Sequence, residues 1–407
     1  MLRRREFVKL LSGVAGATVL DGCLDPSNYL TSPDLDPSPP VVNSSLRGIC
    51  SPAATVALGD LTVSTHPWPS GLDAAALIDV DDFCPVVLPG EGLDFGGDLS
   101  SNGILAGFLT DELLSTYPEV KINLMTIANM RQDPLSRVPI AEDDRYLLST
   151  QATWTSSVRQ ILDAYPNVRL GMHGFWHFNY SDRGPDEFTQ YSDLRAREVM
   201  RQMQLEFLKA LPMVEPVFRA PGWATPPSVL VYVAQAGLLL ADSSIAQTFN
   251  GSIPSCYSVS SNEEVIRAGP DFRTWIADAA QAAGFIVGHF HFTAPNRNSL
   301  GSDAGRRNAL GFAKAVRSNT QYRIGWLSYY EAALRVALGR STKWSAVLDA
   351  GDLVISVTSI EPTFRRVTLT VQNLADRHVA VVNADGDPLP FGVMSSARGC
   401  DYIVLDP

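Results

Sequence analysis

Between about residues 74 and 340, short apolar runs alternate with longer stretches of helical periodicity, and this alternation restricts the fold more than anything else in the chain. The spacing predicts strands at 75–80, 121–127, 168–172, 217–218, 238–241, 285–288 and 324–327. Between them it predicts helices at 104–116, 150–165, 192–211, 227–236, 274–283 and 308–317. Gly237 and Gly284 stand where a helix would stop before the next strand. Strand and helix repeating at this pace imply parallel strands with helical crossovers, in either a (β/α) barrel or a doubly wound sheet.

The texture changes after about residue 343. Runs at 353–357, 366–371, 379–382 and 402–405 alternate apolar and polar residues and are separated by Gly-, Asp- and Pro-rich turns. They predict a small antiparallel, sandwich-like β module over 343–407, expected to pack on the larger α/β body.

At the other end, Arg3, Arg4 and Arg5 precede Phe7 and Lys9, an apolar run at 10–20, and Asp21-Gly22-Cys23. A basic head, a short apolar stretch and a small-residue stop form an export leader, too short to span a bilayer. The arginine pair resembles a twin-arginine signal, and the approach to Cys23 resembles a lipobox, so residues 1–23 are read as leader and Cys23 as a lipid-anchor site. Residues 24–45 are rich in Pro, Ser, Asp and Asn and read as a flexible tether. The expected location is therefore the periplasm or cell envelope. Cys50, Cys84, Cys256 and Cys400 would allow two disulfides there, in any of three pairings. A net charge of -11 excludes a nucleic-acid footprint, and no second long apolar run supports a polytopic membrane protein.

The chemistry concentrates at the predicted strand ends. Of six histidines, four form two clusters, His173-x-x-x-His177 and His289-x-His291. Imidazoles at i and i+4 on a helical turn can reach one ion, provided a carboxylate completes the set. Asp81 and Asp82, Arg219 and Asp242 follow other predicted strands. In a (β/α) barrel all such ends share one rim. Of two adjacent aspartates, one can ligate a metal while the other stays free as a base. Asp79, two residues before Asp81, points to the same side by strand alternation.

The order Asp81-Asp82, His173-x-x-x-His177, Arg219-Ala220-Pro221-Gly222-Trp223, Asp242 and His289 resembles the five motifs of polysaccharide deacetylases, the NodB-homology or carbohydrate esterase 4 type. Glu187-Phe188 downstream of the histidine pair resembles a divergent branch of that family. The resemblance spans about 74–335. It implies a distorted (β/α) barrel over 46–340 and a divalent metal, often zinc. By position, Asp82, His173 and His177 resemble the metal ligands and Asp81 the general base. Arg219 resembles the arginine that orients the base, and Asp242 the residue that tunes the catalytic histidine, which is His289 or His291. Phe83 departs from the family's small residue and is expected to narrow the pocket. The implied reaction is hydrolysis of N-acetyl groups on an extracytoplasmic glycan, with the oxyanion held by the metal and a backbone amide near Phe83 and Cys84. The alternatives are a non-catalytic sugar-binding lipoprotein on the same barrel, or a metal-dependent O-acetyl esterase.

Overall fold

The computed structural model describes residues 53–88, 93–130, 147–177, 187–189, 191–223, 225–241, 272–292, 299–359 and 367–405. The leader, the tether, Cys50, Cys256 and Asp242 lie outside the described residues. The chain opens with β1 (Thr55–Leu58) and β2 (Leu61–Thr65), then β3 (Ala74–Phe83) and a short hairpin of β4 (Val87–Leu88) and β5 (Leu93–Asp94). A π-helical segment, Ile104–Leu114, leads to β6 (Ile122–Thr126). Helix α1 (Ala152–Ala164), β7 (Val168–Met172), α2 (Asp193–Ala210), β8 (Val217–Phe218), α3 (Pro227–Gln235) and β9 (Leu239–Leu240) continue the alternation. It closes with α4 (Phe272–Gln281), β10 (Phe285–His291), α5 (Asp303–Arg317), β11 (Ile324–Trp326) and α6 (Tyr329–Ser341).

These strands form one seven-stranded sheet in the order β10-β3-β6-β7-β8-β9, with β11 on the start of β3, and every pairing is parallel. The sheet curls into a distorted (β/α) barrel. All ten residues of β3 are buried, as a strand covered on both faces requires. Helix starts are set by local chemistry. Ser192 and Ser302 accept from the amides three residues on, and Ser328 forms a reciprocal capping box with Glu331. That box opens α6, a helix the periodicity did not predict.

The C-terminal module follows as β12 (Lys343–Asp349), β13 (Asp352–Ser359), β14 (Thr368–Gln372), β15 (Val379–Val382), β16 (Phe391–Ser395) and β17 (Asp401–Leu405). Two sheets face each other over Leu61, Val63, Leu353, Ile355, Leu369 and Ile403. Two features differ from the expected all-antiparallel module. β13 and β15 pair in parallel, and the larger sheet runs β1-β2-β14-β17-β16, taking its first two strands from before the barrel. The two-residue turn at Gly59, whose φ is 69°, closes that N-terminal hairpin.

The module rests on the end of the barrel where strands begin. Asp73, one residue before β3 and 1% exposed, accepts from Tyr402 (2.9 Å), from Ser396 and from the amide of Arg323 (2.8 Å). Among the described residues no helix is long and apolar enough to cross a membrane. Cys84 and Cys400 are free thiols, Cys84 fully buried.

Candidate metal centre and catalytic groups

Neighbouring residues on a strand ordinarily point to opposite faces. In β3 this rule is broken where it matters. Val80 pairs with Leu124 and Phe83 with Thr126, so β3 carries one extra residue against β6. The bulge holds Asp82 at a φ of 69°, a left-handed conformation that only a well-determined site sustains. As a result both carboxylates reach one imidazole: Nε2 of His173 lies 3.6 Å from Asp81 Oδ2 and 3.5 Å from Asp82 Oδ1. Phe83, the next residue, turns into the core against Trp154 and Phe292 at ring separations of 5.0 and 5.2 Å. It is fully buried.

The turn joining His173 to His177 is not helical, contrary to expectation. Gly174 at φ 81° and His177 at φ 56° fold it back on itself, which brings the two rings within 4.9 Å. A side chain at Gly174 would strike Glu187 and Pro221, each at 2.6 Å, so this approach requires glycine. His173 Nδ1 lies 3.1 Å from the carbonyl of Arg219, a partner that leaves Nε2 free to ligate.

Asp82, His173 and His177 are buried and each offers a ligand atom within 4.8 Å of the others. Asp82 Oδ1 sits 3.0 Å from His177 Nε2, yet no hydrogen bond satisfies it. A tetrahedral ion with ligands at about 2.1 Å would space them about 3.4 Å apart, close to what is found here. The donor set and the unsatisfied oxygen fit a divalent metal.

Beside this triad stands a second one, Asp81, His289 and His291, built on β3 and β10 in register. Arg219, following β8 and 1% exposed, joins the two. Its guanidinium donates to Asp79, to Asp81 Oδ1 at 2.9 Å, to the carbonyl of Ala241 at 2.8 Å and to Tyr329 at 2.6 Å. His289 Nδ1 lies 3.0 Å from Asp79 Oδ2, and its Nε2 is 3.7 Å from Asp81 Oδ2. The histidine's described carboxylate partner at Nδ1 is therefore Asp79, the position expected to share a side with Asp81 and at best to support the site from behind the ligands. Within β10 only His291 is partly exposed, its ring 4.7 Å from that of His289.

The electrostatics follow from burial and neighbours. Burial opposes charge on Asp81, but Arg219 and then His173, His289 and His291 overcome it and hold the carboxyl at about 2. Asp82 is likewise driven well below the usual range by His177 and His173 despite its burial. Burial pulls His173 down, yet Asp81 and Asp82 leave it raised. Burial and then the neighbouring His289 take His291 down to about 4. Asp79, Asp81, Asp82 and Glu187 bring four buried carboxyls to the site against the one guanidinium of Arg219, an acidic setting that suits a dication. The amide of Cys84 donates to the carbonyl of Phe95 at 2.7 Å, so it is not free to receive an oxyanion as expected.

No family model matches the chain, and no curated protein matches it. Among solved structures it is similar to the chitin deacetylase of the fungal pathogen Colletotrichum lindemuthianum, at 12% identity and a TM-score of 0.33, over 63% of this chain and 87% of that one. A family 4 carbohydrate esterase from Streptomyces lividans gives 13% identity and 0.32, over 63% and 93%. A pseudoenzyme of the same esterase family from Bacillus anthracis gives 10% and 0.33, over 64% and 65%. The likeness is slight. Overlaps this low leave the chemistry to be read from this chain's own residues.

Proposed function

We propose that the protein is a metal-dependent hydrolase that removes N-acetyl groups from an extracytoplasmic polysaccharide, a carbon–nitrogen hydrolase outside the peptidases. The observation that carries this reading is the pair of triads, one suited to hold a dication and one to move protons, side by side among buried carboxyls. The order of the motifs, which resembles polysaccharide deacetylases, agrees with it.

Asp82, His173 and His177 would hold the ion, for which zinc is the natural candidate. Bound there, it would supply Lewis acidity, making a water more acidic and polarising the acyl oxygen. Asp81, kept ionised and fixed by Arg219, takes the proton of the attacking water. The carbon–nitrogen bond then breaks, and the amine departs with a proton from the Asp81, His289 and His291 group. His289, anchored on Asp79, and His291, at the less buried end of β10, are the two candidates for that donation. Asp242 remains the family's candidate for tuning that histidine. We further propose export through the arginine-pair leader, with anchoring at Cys23.

Acetate release from a panel of N- and O-acetylated glycans, with Asp82→Ala as the blank, tests the reaction. Acetate accompanied by a new free amine supports deacetylation at nitrogen. Acetate without an amine makes the protein an O-acetyl esterase, and no acetate from any substrate leaves a sugar-binding protein.

A further inference from the structure

Glu187 lies fourteen residues beyond His173 and touches none of the groups assigned above to proton transfer. It is fully buried. Its carboxylate accepts three successive backbone amides: Phe175 (3.1 Å), Trp176 (3.1 Å) and His177 (2.9 Å). Three consecutive N–H groups converge on one anion only where the chain curls into a nest, and the left-handed residues Gly174 and His177 supply that curl. For glycine this costs little. For His177 it is a strained conformation that persists only if something external favours it.

We infer that Glu187 is a positioning residue for the metal centre, a built-in anion that holds His177 left-handed so that its imidazole meets Asp82. This rests on the metal reading proposed above and deepens it. With the carboxylate in place, the amide of His177 is fixed at 2.9 Å from Glu187 while Nε2 stands 3.0 Å from Asp82 Oδ1. Without it, three buried amides lose their acceptor, and the turn gains by relaxing toward an ordinary right-handed or extended conformation. That relaxation swings the ring of His177 away from Asp82. Glu187 thus acts on the ion through the backbone of one ligand, and Gly174 is the residue that lets its carboxylate come close.

The test measures Zn2+ affinity and the visible spectrum of Co2+ in the full chain for wild type, Glu187→Gln, Glu187→Asp, Phe188→Leu and His177→Ala. Glu187→Gln turns an amide N–H2 toward backbone donors and should weaken Zn2+ binding about ten- to a hundredfold, with a weaker, shifted Co2+ spectrum. Glu187→Asp keeps the charge with one methylene less reach and should recover part of the affinity, which keeps the comparison informative should Glu187→Gln not fold. Phe188→Leu, in the neighbouring core position against Phe218, should lower Tm while leaving affinity and spectrum unchanged. Wild-type affinity and spectrum in the Glu187 variants, alongside loss in His177→Ala, would overturn the role of Glu187 and leave the metal reading standing. Wild-type protein that binds no metal would overturn both.

Discussion

Asp81 and Asp82 are one position apart, share an environment and have opposite assignments, because the bulge in β3 turns both inward while Arg219 engages only Asp81. Asp81→Asn should therefore keep the metal and lose about two to four orders of magnitude in turnover, the scale of a missing general base. Asp82→Asn should lose metal and turnover together, since a neutral amide oxygen is a poor ligand for a dication. Metal content measured beside acetate release distinguishes the two, and a metal-free Asp81→Asn with a metal-replete Asp82→Asn would exchange their roles. Asp79 belongs at this scale too. It is buried and holds both Arg219 and His289, while Asp81 gives Arg219 a second carboxylate. Asp79→Asn should therefore cost about 1–3 kcal/mol of stability by denaturant unfolding, the range for a buried hydrogen-bonding group left unsatisfied.

At the scale of elements, the segment from β2 to β3 carries the contact between module and barrel. His66, 3% exposed, lies between the carbonyl of Leu72 (2.7 Å) and the hydroxyl of Thr370 (3.0 Å), with Tyr402 4.6 Å away ring to ring. Burial, only partly offset by the hydrogen bond to Leu72, lowers its pKa to about 4. A histidine kept neutral in the fold and free to charge when unfolded stabilises fully above its ordinary pKa near 6.5. That contribution is lost as pH falls from about 6.5 to about 4. A shift of this size corresponds to about 3 kcal/mol. We expect the drop in unfolding free energy between pH 7 and pH 4 to be smaller by about that amount in His66→Gln than in wild type. An unchanged drop would mean that the imidazole is solvated.

For the whole molecule, the module and the site occupy opposite ends of β3. Asp73 and Asp81 are separated by eight strand positions, about 26 Å at 3.3 Å per residue. Asp73→Ala would leave the buried side of the Arg323 amide without its acceptor and take one of three partners from the Tyr402 hydroxyl, and should cost about 1–3 kcal/mol. At that distance it should leave Zn2+ affinity and acetate release unaltered, so a changed affinity would show that the module reaches the site. Replacing Arg4 and Arg5 by Lys should hold the precursor in the cytoplasm, checked by fractionation. Processing at the wild-type rate would refute the twin-arginine assignment.

Local pattern alone determined the α/β class, because strand and helix periods are properties of consecutive residues. The strands at 168–172 and 217–218 are found at their predicted limits, with His173 and Arg219 just beyond them, whereas Asp81, Asp82 and His289, expected to follow their strands, lie within β3 and β10, which run on past the predicted limits. The strands of the N-terminal hairpin were legible in principle, since alternation flanks the Gly59-Asp60 turn. Their partner was not, because β14 lies some three hundred residues away and pairing at that range leaves no local mark. The same holds for the parallel pairing of β13 with β15. Within the site, tertiary structure alone decided that Asp82 turns inward, that His173 and His177 meet across a left-handed loop, and that His289 leans on Asp79. The first two depend on left-handed backbone at Asp82 and His177, which those residues disfavour, and the third on the register of β10 against β3. Contacts distant in sequence are needed to hold them, Glu187 among them.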